Sequence, residues 1–309
     1  MNESTGNPLR DWQCGEMGKT VPTLAESRRY CASLARRHYE NFSVVTFLLP
    51  REVRQDFYNL YAYCRWADDL ADETENSATW LDWWEGMLKQ TYEDDLPPHP
   101  VFVALRETIL QYAIPQKLLG DLLLAFRQDQ IVQEYETRAS LLEYCRYSAN
   151  PVGRLILHLA GTTDETSGQL SDAICTGLQL ANFWQDVRRD WDEKSRIYLP
   201  RQDRETFGVS DAFFRQEACS PAFRQLLQEE TDWAETFFQA GSPLISRVPR
   251  SFQLDIALFN AGGLEILRAI RRQKYDVWTH RPHLSRWTKT RLLIQSLGRL
   301  FFRKAPVLC

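Results

Sequence analysis

Two acidic stretches, Asp68-Asp69-Leu70-Ala71-Asp72 and Asp186-Val187-Arg188-Arg189-Asp190, lie inside long apolar segments of helical periodicity. Wound at about 100° per residue, Tyr61, Arg65, Asp68 and Asp72 fall on one stripe of a first helix. Gln179, Asn182, Asp186 and Asp190 do the same on a second. Leu60, Ala62, Trp66 and Leu70 flank the first stripe, and Leu178, Leu180, Phe183 and Trp184 flank the second. A carboxylate in such surroundings is costly unless it is paired or metal-bound. The fold must therefore give two helical carboxylate rows a compensating cation. Mg²⁺, held by a few carboxylates and completed by substrate phosphates, is the natural candidate. The plain alternative is an acidic, solvated helix face. The repeated spacing, and stripes that continue through Tyr61, Arg65, Gln179 and Asn182 and not through lysines, argue against it.

Helical periodicity dominates from about Thr23, broken near Asp94–Pro100, Gly161–Ser171, Lys194–Gly208, Gly241–Pro249 and Arg281–His283. Strand-like alternation is scarce, with Ile197-Tyr198-Leu199-Pro200 a short extended piece at best. An all-α domain of roughly ten to thirteen helices follows. No break resembles a linker, so residues 23–309 read as a single domain behind a disordered tail over 1–22. Asn150-Pro151-Val152-Gly153 interrupts the pattern from Leu141 to Ala160 and predicts a kink. That kink either fits helices around a core or shapes a cavity wall.

The net charge of −4, with 25% charged residues, argues against a nucleic-acid partner. Seven cysteines at irregular spacing, with no C-x-x-C pair, point to free thiols in a reducing compartment. No signal-peptide core and no run near ~18 apolar residues is present, which places the protein in the cytoplasm or on a membrane surface. Basic residues crowd the C-terminal part, from Arg268 through Arg286, Lys289 and Arg291 to Lys304, interleaved with Trp287, Leu292, Leu297 and Phe301. This is either an amphipathic helix for peripheral contact with anionic lipid or a packed terminal helix with a solvated basic face.

Other sites are not supported. Neither acidic stretch has the glycine and glutamate of an EF-hand loop. His38, His99, His158, His280 and His283 lack zinc-like partners, and no nucleotide-binding glycine loop or nucleophile elbow occurs. Paired carboxylates, Mg²⁺ and arginines suit ionisation of a diphosphate ester. Mg²⁺ and Arg65 would neutralise the departing diphosphate. Aromatic faces would stabilise the carbocation left behind, and Phe42, Phe47, Tyr61, Tyr144, Phe183 and Trp184 are available. Aromatics at helical spacing are more often plain core, so those near the acidic stripes carry the weight.

Tyr61 to Asp72, and Leu178 to Asp190 followed by Arg196-Ile197-Tyr198-Leu199-Pro200, resemble the two signature motifs of the squalene/phytoene synthase family. The resemblance covers the chain from about residue 25. It implies an isoprenoid-synthase helical bundle in which the two aspartate helices face each other across a deep central apolar cavity. It implies Mg²⁺ on Asp68, Asp72, Asp186 and Asp190 with Asn182 assisting, and an isoprenoid diphosphate as substrate. Tyr61, Arg65, Gln179 and Tyr144 match pocket positions, Phe42 lies in the corresponding substrate-binding segment, and Tyr275, Arg281 and Lys289 look like late diphosphate contacts. Three local strings, His38-Tyr39-Glu40-Asn41-Phe42-Ser43, Ser148 to Gly153, and Asn182-Phe183-Trp184-Gln185-Asp186, look like the branch that converts presqualene diphosphate and water to hydroxysqualene in hopanoid synthesis. Gln185 stands where condensing relatives usually carry arginine; one cation fewer suits a site for one diphosphate. Nothing suggests a nicotinamide site, so no NADPH is expected. The alternatives are a relative that condenses two prenyl diphosphates and a non-catalytic scaffold homologue, the latter disfavoured by the intact aspartates.

Overall fold

A computed structural model describes residues 21–37, 49–93, 95–216, 218–283, 285, 288 and 291–296. Among the described residues between 24 and 272 there are twelve α-helices, one 3₁₀ turn (Asp211–Arg215) and no strand. The predicted extended piece pairs once, as an isolated parallel bridge between Glu134 and Ile197. The helices pack in two compact units, one ending at Ile131 and one beginning at Val132.

The first unit holds α1 (Leu24–Arg37), α2 (Arg54–Asp72), α3 (Ser77–Tyr92), α4 (Pro100–Tyr112) and α5 (Gln116–Asp129). Helix α2 packs on the other four, which explains why so much of it is apolar. Its Tyr63 and Trp66 enter a ring cluster in which Trp66 stacks on Trp84 at 5.3 Å and Trp84 lies 4.5 Å from Phe102. The polar tips are satisfied: Trp66 Nε1 donates to the Tyr30 hydroxyl at 2.9 Å, and the Tyr63 hydroxyl to the Leu119 carbonyl at 3.1 Å. His99 caps α4 by accepting from Val101 N–H at 3.2 Å, and burial pushes its imidazole down to about 3. A neutral core histidine results, in line with its lack of zinc-like company in the sequence.

The second unit holds α6 (Arg138–Ser148), α7 (Asn150–Leu159), α8 (Glu165–Lys194), α9 (Arg201–Thr206), α10 (Pro221–Gly241), α11 (Leu244–Arg247) and α12 (Arg250–Arg272). The kink expected at Pro151 is a full break. Helix α6 ends at Ser148, and Pro151 sits in the first turn of α7, where its missing N–H costs nothing. Helix α8, 30 residues and so about 45 Å long, is the spine. It starts where Asp164 accepts from Ser167 N–H at 3.0 Å, ends at Ser195 in the left-handed region, and is flanked by α6, α7, α10 and α12. Gly263 of α12 permits the closest approach: a Cβ there would stand 2.2 Å from the Phe238 ring.

No helix of the described residues is long and apolar enough to cross a membrane. Part of the basic C-terminal stretch, including Arg286, Trp287, Lys289 and residues 297–309, lies outside those residues. Within them, Arg268, Arg272 and Arg291 all converge on the buried Glu265 at 2.8–3.2 Å. Burial pushes that carboxyl up, but the hydrogen bonds from Arg272 and Arg268 outweigh it and hold it below the usual range. Part of the basic excess is thus internal charge pairing.

Candidate active site

The first aspartate row is carried by α2. Asp72 is exposed and Asp68 half-exposed. Arg65 Nη1 donates to Asp68 Oδ2 at 2.9 Å, and its Nη2 is ion-paired with Asp69. Asp69, which the stripe left out, is buried and pushed up to about 7 by burial, against the pull of Arg65. Its signal in the sequence is the i,i+4 spacing from Arg65. Tyr61 is half-buried one turn before Arg65. Burial raises its phenol and the Arg65 charge partly offsets that. Structure and sequence therefore agree on a polar stripe, but Arg65 divides itself between a half-exposed aspartate and a buried one.

The second row is carried by α8. Asp186 is buried and gripped by Arg281, whose Nε is hydrogen-bonded to Oδ1 and whose Nη2 stands 3.0 Å from Oδ2. One turn on, Asp190 is half-buried and its Oδ2 has no hydrogen-bond partner among the described residues. Burial, then the neighbouring Asp186 charge, push its carboxyl up to about 7. Asn182 is exposed and Gln179 half-buried on the same stripe. Arg188 and Arg189 are engaged with Asp192 at 2.6 Å and Glu193 at 3.0 Å, each one turn along the helix. Gln185 is buried and donates from Nε2 to the Pro282 carbonyl at 2.6 Å. The cation paired with Asp186 is Arg281, brought in from a distant segment, while the charges of Lys194, Arg189 and Arg196 act on Asp190.

Aromatic rings adjoin this row. Phe183 stacks on Tyr198 at 3.8 Å with planes 9° apart. Tyr144 from α6 lies 6.1 Å from Phe183 and 6.0 Å from Tyr198, and Tyr135 closes the group at 5.4 Å from Tyr144. From the sequence, Tyr198 enters only within the Arg196–Pro200 string and Tyr135 not at all, because neither sits on an acidic stripe. Trp184 belongs to the core instead, its Nε1 donating to the Glu230 carbonyl at 3.0 Å. Tyr275 is half-buried on a left-handed turn (φ 60°) behind α12, a turn held by Arg224 through the Lys274 carbonyl at 2.7 Å and Asp276 at 2.6 Å. Phe42 and Lys289 lie outside the described residues.

Among the described residues no three His, Cys, Asp or Glu side chains gather tightly enough to hold a metal ion alone. That donor set still fits Mg²⁺, which keeps several waters and takes its remaining ligands from phosphate oxygens. The carboxylates are hard donors in pairs one turn apart, and Asp190 Oδ2 is a buried acceptor lacking a donor. Zinc is a poor match. The described thiols nearest in sequence to either row, Cys64 and Cys175, are held protonated by burial.

Known proteins resemble this chain in sequence and fold. The squalene/phytoene synthase profile matches residues 35–288. A hydroxysqualene synthase of Rhodopseudomonas palustris is 31% identical over 280 residues, 87% of this chain and 92% of that protein. Among solved structures, a squalene synthase from Alicyclobacillus acidocaldarius has a TM-score of 0.79 at 40% identity, over 84% of this chain and 99% of its own. A dehydrosqualene synthase in complex with a ligand has a TM-score of 0.83 at 26% identity, over 90% and 98%. The all-α architecture is accordingly that of the isoprenoid synthases. With a profile match across most of its length and both aspartate motifs intact, the chain belongs to the squalene/phytoene synthase family.

Proposed function

We propose that this protein is a hydroxysqualene synthase, converting presqualene diphosphate and water to hydroxysqualene and diphosphate. The observation that carries the reading is the unfinished second row: Asp190 keeps a buried, unpartnered carboxylate oxygen one turn from Asp186, which already needs a guanidinium. Such a row is suited to a divalent cation. We assign Asp68 and Asp72 in the first row, and Asp186 and Asp190 with Asn182 in the second, as Mg²⁺ ligands. Bound there, Mg²⁺ would draw off the negative charge that develops on the departing diphosphate.

Arg281 and Arg65 each rest on carboxylates of the two rows. A cation on those carboxylates relieves the arginines of that task and lets them meet the diphosphate oxygens. Tyr61, Gln179 and Tyr275 complete the polar contacts. The Tyr144, Phe183 and Tyr198 faces offer negative quadrupoles to a carbocation without a nucleophilic atom at the ring face. Capture by water then forms one carbon–oxygen bond and releases one proton. The balance needs no reductant, and so no NADPH. The similarity to a hydroxysqualene synthase supports this branch, as do the local strings around His38, Pro151 and Gln185.

The second reading, condensation of two prenyl diphosphates, is favoured by the similarity to a dehydrosqualene synthase. Product analysis with Mg²⁺ and no reductant, supplying presqualene diphosphate and farnesyl diphosphate separately, decides between them. Hydroxysqualene from the first substrate alone, lost on chelation and restored by Mg²⁺, is the expected result. Presqualene diphosphate formed from farnesyl diphosphate would move the protein to the condensing branch. Failure to release diphosphate from either would leave a non-catalytic homologue.

A further inference from the structure

Gln185 and Asp186 are consecutive on α8, and they hold consecutive residues of a segment nearly a hundred positions later. Gln185 Nε2 donates to the Pro282 carbonyl at 2.6 Å, while Asp186 receives the Arg281 guanidinium at both oxygens. Among the described residues, the other anchors of segment 276–283 lie at its start. Asp276 is paired with Arg224 at 2.6 Å and accepts from Thr279 N–H at 3.1 Å. Trp278 is buried against Phe213, Phe214 and Phe223, with Nε1 donating to the Gln216 carbonyl at 2.9 Å. After Trp278, residues 279–281 are exposed, and Pro282 is buried again. Gln185 therefore supplies the anchor that fixes the backbone directly beside Arg281.

Two-point recognition by a guanidinium is demanding in geometry, because a planar fork must meet a carboxylate or phosphate in register. A neutral amide is well chosen to hold such an arm. It ties down the carbonyl next to Arg281 without adding a second cation to compete for Asp186.

We propose that Gln185 is a positioning residue: through Pro282 it sets the point from which Arg281 reaches Asp186, and so where a guanidinium stands for an incoming diphosphate. The last clause rests on the function proposed above; the latch itself does not. Two measurements separate them. Backbone order parameters from nitrogen-15 relaxation read the mobility of His280, Arg281 and His283. Calorimetry reads binding of inorganic diphosphate in excess Mg²⁺. Both are made on the full chain for the wild type, Gln185→Leu, Arg281→Gln and the double variant.

Losing one buried donor is expected to weaken diphosphate binding about five- to tenfold. The order parameters of 280, 281 and 283 should fall toward about 0.6, while those of α8 stay in the rigid range. In the Arg281→Gln background, Gln185→Leu should bring no further loss of binding, because its effect passes through Arg281. Unchanged order parameters at 280–283 overturn the latch. An equal extra loss in the double variant, or mobility raised along all of α8, would place the effect in helix packing and refute the positioning role. A wild type that does not bind magnesium diphosphate would refute the functional clause, while the order parameters still decide the latch.

Discussion

Asp255 offers the sharpest quantitative test of this structure. It lies on α12, is 1% exposed, and neither carboxylate oxygen accepts a hydrogen bond of normal geometry. Burial pushes its carboxyl from 3.8 to about 7, opposed only by its own backbone amide. A pKa that is higher in the folded state means that the native protein binds the extra proton. Stability from this group is thus full below about 4, falls as pH rises, and levels off above about 7. At 1.36 kcal/mol per pH unit, the interval from 3.8 to about 7 is worth about 4 kcal/mol. Asn has the same shape and no charge to lose. Asp255→Asn should stabilise by about 1–2 kcal/mol at pH 5, where the unfolded carboxyl is already ionised, and by about 4 kcal/mol at pH 8, raising the melting temperature at pH 8 by about 6 °C. Scanning calorimetry of both proteins at the two pH values makes the comparison, and groups common to both cancel in the difference. A melting-temperature difference that is the same at pH 5 and pH 8 would refute the reasoning, since it would mean that Asp255 titrates alike in folded and unfolded chains.

Three further outcomes are expected. Asp190→Asn should slow diphosphate release from presqualene diphosphate by roughly 10²–10³-fold, in the range for losing one strong electrostatic contact to a transition state. Its melting temperature should not fall, because burial and Asp186 already oppose the charged form; unchanged turnover would remove Asp190 from the site. Arg65→Gln strips the cation from buried Asp69 and should cost about 3 kcal/mol. The loss should be larger at pH 8 than at pH 6, where a proton on Asp69 substitutes for the missing charge, and melting curves at the two pH values measure it. Gly263→Ala places a methyl group 2.2 Å from Phe238 Cζ and should destabilise by about 1–3 kcal/mol in thermal unfolding, whereas a neutral result would show that α10 and α12 separate easily.

What could be read from the chain alone was whatever repeats with the period of a helix. The two aspartate rows, the break at Pro151 and the meagre pairing at Ile197 all follow from local spacing, because a helix fixes which side chains share a face. Local spacing does not say which neighbour covers that face. Asp68 and Asp69 illustrate the limit. They are adjacent and chemically identical, yet Asp69 is sealed in the core with a shifted carboxyl while Asp68 is half-exposed. The period placed Asp68 on the stripe correctly and gave no means of foreseeing the burial of Asp69.

Gln185 illustrates it more strongly. As a sequence feature it is one arginine fewer beside a metal motif, which suggests a weaker positive field. In the structure the positive charge is present, but it arrives on Arg281, 95 residues away, and Gln185 is hydrogen-bonded to the next residue of the same segment. Gln185 thus leaves Asp186 to a charge on a tethered arm, not to one rooted in the helix. These differ in kind. A side chain rooted in α8 stays in place when the aspartates bind a cation. An arginine on an anchored segment can leave its carboxylate for another anion while its backbone is still held. Under the proposed function, in which the site neutralises carboxylates when empty and a diphosphate when full, the second arrangement serves both states with one guanidinium.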